Sequence, residues 1–127
     1  MATTAQYAST VRAAVAQVST ANTNRDGTGT IVTVLTAGSS GSRVDDIWVV
    51  ATGTTTAGVV RLFINDGTNT RLWQELLVAA ITPSTTVQVF NTALFNQALI
   101  LPSGYSLRAS TNNAETFNVI VTRAGDF

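Results

Sequence analysis

Asp45 and Asp46 are the one adjacent acidic pair in the chain. Paired carboxylates are what metal-assisted or general acid–base hydrolysis needs, placed across a substrate or around a metal. Consecutive residues of a strand point to opposite faces, so this pair is expected to diverge at a strand entrance, keeping it hydrated or pairing with Arg43. The run Asn24-Arg25-Asp26-Gly27-Thr28-Gly29 resembles half of a calcium loop. It lacks the further oxygen ligands and the closing bidentate Glu, because Thr30, Ile31 and Val32 follow. Its Gly-x-Gly is a poor phosphate cradle, with neither a Lys nor a helix start after it. It reads as a loop between strands.

The aromatic residues offer a second chemistry. Trp48, Trp73, Tyr105 and the five Phe could stack on sugars or bases, and Trp73 beside Gln74 and Glu75 is the best sugar contact. With two Trp and two Tyr in all, packing in a core or an interface is the expected role. Every basic side chain is an arginine: there are seven and no lysine. Arginine forms planar bidentate contacts and is enriched at protein interfaces, where lysine is depleted. Arg61 and Arg108 sit among apolar neighbours in strand-like runs, so they are read as interface or buried-pair arginines.

Absences narrow the chemistry further. The chain has no His and no Cys, which removes a Ser-His-Asp triad, a Cys nucleophile, a zinc finger and a disulfide. No catalytic, metal or cofactor residue is nominated, and the chain is read as a non-enzyme. Seven Arg balance seven Asp and Glu, so the net charge is zero, against the basic face that nucleic-acid binding usually needs. The longest apolar run, 76–81, is far short of the roughly 20 residues that span a bilayer. Met1 to Ala8 lack the charged start and apolar stretch of a signal peptide. No nucleic-acid or membrane partner is expected.

The elements that must position these residues read as strands. Residues 28–36 are β-branched between Gly-rich stretches, and 43–52 hold the apolar run Ile47-Trp48-Val49-Val50-Ala51. Residues 59–65 alternate, with Val60, Leu62 and Ile64 on one face and Val59, Arg61 and Phe63 on the other. Asp66-Gly67 is a hairpin signal, so 70–78 is a return strand although Leu72, Leu76 and the Arg71/Glu75 pair also fit a helix. Residues 84–91, 99–101, 105–110 and 116–123 complete the set. The predicted core is Val60, Leu62, Ile64, Val87, Val89, Leu107, Val119 and Val121. Seven or eight short strands predict an all-β fold, an antiparallel β-sandwich of jelly-roll or Greek-key kind. Residues 25–127 form this single domain.

Residues 1–24 differ, being rich in Ala, Thr and Ser with few bulky apolar side chains. They are an N-terminal arm or an edge strand, and Tyr7, Val11, Val15 and Val18 could seat the arm on a neighbouring subunit. Phe63, Phe90 and Ile120, apolar on outward strand faces, join Arg61 and Arg108 as interface candidates.

Taken in order, several stretches resemble a known style of protein. They are the Thr- and Gly-rich opening strand, Val59-Val60-Arg61-Leu62-Phe63-Ile64 before an Asp-Gly turn, Leu72-Trp73-Gln74-Glu75, the run 99–110 (LILPSGYSLRAS) and the Val-rich 117–121. The chain from about Thr28 onward resembles small virion proteins of tailed bacteriophages, in particular head decoration or cement proteins with β-sandwich or jelly-roll folds. The resemblance implies a structural protein on the outer capsid surface of the virion, bridging major capsid protein subunits. It also implies a homotrimer or homodimer without a cofactor. Tail-fibre modules share the style, so a receptor- or glycan-binding β-sandwich is the alternative.

Overall fold

The structure, a computed structural model, describes residues 8–127 and contains nine strands and no helix among them. They are β1 (Thr10–Val18), β2 (Val32–Thr36), β3 (Ser42–Ala51), β4 (Gly58–Asn65), β5 (Thr70–Val78), β6 (Asn91–Leu94), β7 (Leu99–Leu101), β8 (Ser106–Thr111) and β9 (Phe117–Asp126). One sheet has the order β1-β9-β3-β6, with β7 also paired to β3; the other has the order β2-β8-β4-β5. All these pairings are antiparallel. The expected all-β sandwich is what the chain forms.

The pairing is nested. β4 returns into β5, β3 pairs β6 and β7, β2 pairs β8, and β1 pairs β9. With β6 and β7 counted as one interrupted strand, this is a long double hairpin wound once around itself. The β3–β9 and β4–β8 pairings close the winding. Such winding closes two antiparallel sheets into one sandwich.

Between the sheets lie Val44, Ile47, Val49, Val60, Leu62, Leu107, Phe117, Val119 and Val121, all nearly inaccessible to solvent. Strand alternation accounts for Ile47/Val49, Val60/Leu62 and Phe117/Val119/Val121, two positions apart, whereas Val44 and Ile47 are three apart across an irregularity in β3. Ile64 and Tyr105 pack against this core half-buried. The ambiguous 70–78 is strand β5, and Asp66 shapes the turn before it by accepting the backbone N–H groups of Thr68 and Asn69.

Two expectations about the core fail. Residues 84–90 are not a strand, Val87 is 46% exposed and Val89 is only half-buried. The Ser84 hydroxyl accepts the N–H groups of Thr86 and Val87, and the Ser84 N–H closes a turn onto the Val87 carbonyl. That local alternative outcompetes extended pairing. Phe63 and Phe90, expected to face outward, are buried. Phe90 meets the edge of Phe117 in the core. Phe63 lies opposite Leu62 on the outer face of the β2-β8-β4-β5 sheet and is still fully covered.

The covering begins after β1. Residues 19–31 leave the first sheet and form a strap over the outer face of the second. The N–H of Asn22 bonds to the Thr111 carbonyl. Arg25 reaches Glu75 on β5, and Gly27 lies against Thr70. At Gly27 the backbone has φ +87°, and a Cβ would collide with the Thr70 carbonyl oxygen, so only glycine allows this approach. The Asn22 amide holds the strap's own turn by donating to the carbonyls of Thr28 and Thr30.

Candidate interaction surface

The arginine candidates separate in the fold. Arg61 points to the outer face of its sheet, yet its side chain is only 2% exposed because the strap covers it. Its Nε donates to Glu75 Oε2 at 2.9 Å, Nη1 to the Asn22 carbonyl at 3.0 Å and Nη2 to Asn112 Oδ1 at 3.2 Å. Arg61 is therefore the buried pair, tying β4, β5, the strap and the β8–β9 loop together. Arg25 binds the same Glu75 oxygen. Hydrogen bonds from Arg25 and then Arg61 hold the Glu75 carboxyl below its ordinary range, against partial desolvation. Arg108 is half-buried and donates to the Ser106 hydroxyl.

The neighbouring aspartates form no catalytic pair. Asp45 sits at an irregularity in the β3–β9 register, where Val44 faces Ala124 and Asp46 faces Arg123. This bulge lets both side chains hold one loop, where strict alternation predicts divergence. Asp45, wholly buried, pairs with Arg43 and accepts the Ala98 N–H at 3.1 Å. Asp46 accepts the Asn96 N–H at 3.0 Å and binds Arg123 through both carboxylate oxygens. The Arg123 and Asn96 donors lower the Asp46 pKa. The loop so held carries two positive-φ residues, Asn96 at 53° and Ala98 at 48°.

The outcome of this scaffolding is the placement of Phe95. Its ring meets the Trp48 ring edge-on, with centroids 5.6 Å apart, and it remains 53% exposed. Trp48 lies between Ala93 of β6 and Ile120 of β9, and Ile120 lies beside Val15 of β1. All point away from the core, since Ile47, Val49, Val119 and Val121 point into it. Val15, Ile120, Trp48 and Ala93 therefore make an apolar row across the outer face of the first sheet, ending at Phe95. The next row is mostly polar, running Gln17, Asn118, half-buried Val50 and Asn91, and Gln17 donates to Asn118.

Two of the nominated interface residues, Val15 and Ile120, meet in this row. Val11 is exposed farther along the same edge strand, at the other side of a register shift in β1. Val18 is buried in the core at the strand's end, because its register partner is inward-facing Phe117. Tyr7 lies outside the described residues. Trp73 packs half-buried against the core, so the sugar-contact candidate is not a free platform. For Trp48 the sequence indicates general packing and no more. Phe95 escapes sequence reasoning, and its only signal is that an apolar side chain stands among Asn, Gln and Ala residues in a loop.

No group of three or more metal-ligating side chains gathers among the described residues. No helix among them is long and apolar enough to cross a membrane. Two crystal structures of a pentameric capsid protein isolated from metagenomic phage sequences align with the chain at a TM-score of 0.41 and 18% identity. The alignment covers 86% of this chain, which spans 60% of the length of those proteins. Neither a protein-family model nor a curated protein matches the sequence.

Proposed function

We propose that this chain is a non-enzymatic structural protein of a phage virion, which decorates the outer capsid surface and stabilises it by bridging major capsid protein subunits. The observation that carries the reading is the apolar row Val15–Ile120–Trp48–Ala93–Phe95. It is held on a sheet between a row made mostly of amides and, on its other side, the Asp46–Arg123 ion pair, whose charges already meet each other, so covering it strips water from no unpaired charge. The nested antiparallel sandwich and the sequence resemblance support the same reading. Weak contacts of this kind become effective when repeated over a symmetric shell. Self-association as a dimer or trimer belongs to the proposal.

The test mixes purified protein with capsids assembled from the major capsid protein of the same phage. Wild-type protein is expected to co-sediment to saturation at a fixed ratio to the capsid protein. The double variant Trp48→Ala/Phe95→Ala, which removes two partly exposed aromatic side chains, is expected to bind at least about tenfold more weakly, as loss of an aromatic anchor does. Wild-type protein that fails to co-sediment, or a double variant that binds like the wild type, overturns the reading. Binding to glycans, lost in the same variant, would instead make the chain a receptor-binding module.

A further inference from the structure

We propose that the free edge of β1 is the junction with a second copy of this chain, paired antiparallel about a two-fold axis at Val15. This deepens the self-association in the proposed role and rests on that part of it, naming the partner and the strand. β1 is a nine-residue strand with β9 on one side, and among the described residues no strand pairs its other side. An open edge of that length is a template for another strand unless charge, proline or shortness blocks it.

The other three edges are blocked. β2 has five residues. The β6/β7 edge is broken into pieces of four and three residues. β5 is long, but it carries Arg71 and the Arg25–Glu75 ion pair, and its register shifts opposite Leu62/Phe63. On β1 the solvent-side residues are Val11, Ala13, Val15 and Gln17, without charge, proline or glycine. The strand's one charge, Arg12, is occupied by the Thr36 carbonyl and Asp126. No like charges therefore meet when the strand pairs with itself.

The occupant follows from that charge balance and from the continuity of the sheet. With the axis at Val15, Ala13 of one copy faces Gln17 of the other and Val15 faces Val15, all on the outer face. The two apolar rows then join end to end, from Phe95 of one copy to Phe95 of the other. Two-fold closure also leaves neither copy with this edge open, so assembly stops at the dimer.

The test uses the whole chain and its lack of cysteine. Light scattering over a dilution series is expected to show a dimer in equilibrium with monomer. Val15→Lys and Val15→Glu each place like charges opposite one another and should each weaken the dimer by at least about tenfold. An equimolar mixture of the two should restore it. Under mild oxidation Val15→Cys should cross-link to a dimer, since facing strand residues fall in the Cα range a disulfide spans. Leu77→Cys, 81% exposed on the other sheet, should not. A wild-type monomer at every concentration, no rescue on mixing, or a Val15→Cys protein that cross-links no faster than the Leu77→Cys protein overturns the junction. Capsid binding, measured separately on the wild-type protein and the Trp48→Ala/Phe95→Ala variant, whose changes lie away from β1, bears on the virion reading and not on this one.

Discussion

Arg61 shows how one side chain can carry the coupling between distant segments. Its guanidinium serves three partners from three parts of the chain, out of contact with solvent. Arg61→Ala leaves the Asn22 carbonyl and the Asn112 side chain without that donor and Glu75 without one of its two arginines. Removing one partner of a buried charged network costs about 3 kcal/mol or more, so the unfolding free energy from denaturant titration should fall by that amount, with faster hydrogen exchange across 19–31. The other acids act through pH. Asp46, Asp126 and Glu75 all have lowered pKa values, from Arg123 and Asn96, from Ser42 and Arg12, and from Arg25 and Arg61. A carboxylate with a depressed folded pKa contributes stability above its unfolded pKa and loses it as pH falls through the folded value. The melting temperature should therefore be level from about pH 5.5 to 8.5, where a chain without His or Cys has no side chain to titrate, and should drop below about pH 4. A midpoint that moves near pH 6.5 would contradict this.

At the scale of elements, the loop after β6 is built against local preference. Ala98 adopts φ 48° because Asp45 holds its N–H from below. An L-residue there carries roughly 1–2 kcal/mol of strain, partly offset by the lower unfolded-state entropy of Ala relative to Gly. Ala98→Gly should thus leave stability unchanged or raise it by up to about 1 kcal/mol, the reverse of the usual sign for that substitution in a strand. Denaturant unfolding measures it. The same loop marks the limit of what sequence reading reaches. Strands with clean alternation, such as Val60/Leu62/Ile64 and Phe117/Val119/Val121, are legible with their inward faces. The rear faces are not. Nothing in the period-2 pattern of β4 says that residues 19–31 return to cover Arg61, because that contact joins segments far apart in sequence. Asp45 and Asp46 defy alternation for a related reason: one extra residue at a bulge reverses facing, and bulges leave no fixed spacing. Ser84 defeats the strand expected at 84–91 through a single hydroxyl.

For the whole molecule, nesting makes the earliest and latest strands neighbours. Thr10 faces Asp126 and Val18 faces Phe117, across more than 90 residues of chain. Folding must close such loops before those contacts form, so refolding is expected on the millisecond-to-second scale of non-local β proteins. Stopped-flow tryptophan fluorescence would follow it through half-buried Trp48 and Trp73. Deleting residues 1–20 removes β1, including buried Val18, and opens β9. The truncated protein should lose at least about 3 kcal/mol, more than the arm expected from composition would contribute. A truncation that melts like the full chain would show that the β1–β9 pairing adds little.

The same β1–β9 register also fixes how the molecule bears mechanical load. Force applied between Thr10 and Asp126, which face each other at one end of the ladder, opens the pair like a zipper, rupturing its cross-strand bonds in sequence. Force applied between Val18 and Asp126, at opposite ends, slides the strands lengthwise and loads every bond of the ladder at once. Tethered through the first pair in an optical trap, the protein should yield at a distinctly lower force than through the second. A shell swelling from within would therefore be restrained best by subunits gripped at opposite ends of this strand pair.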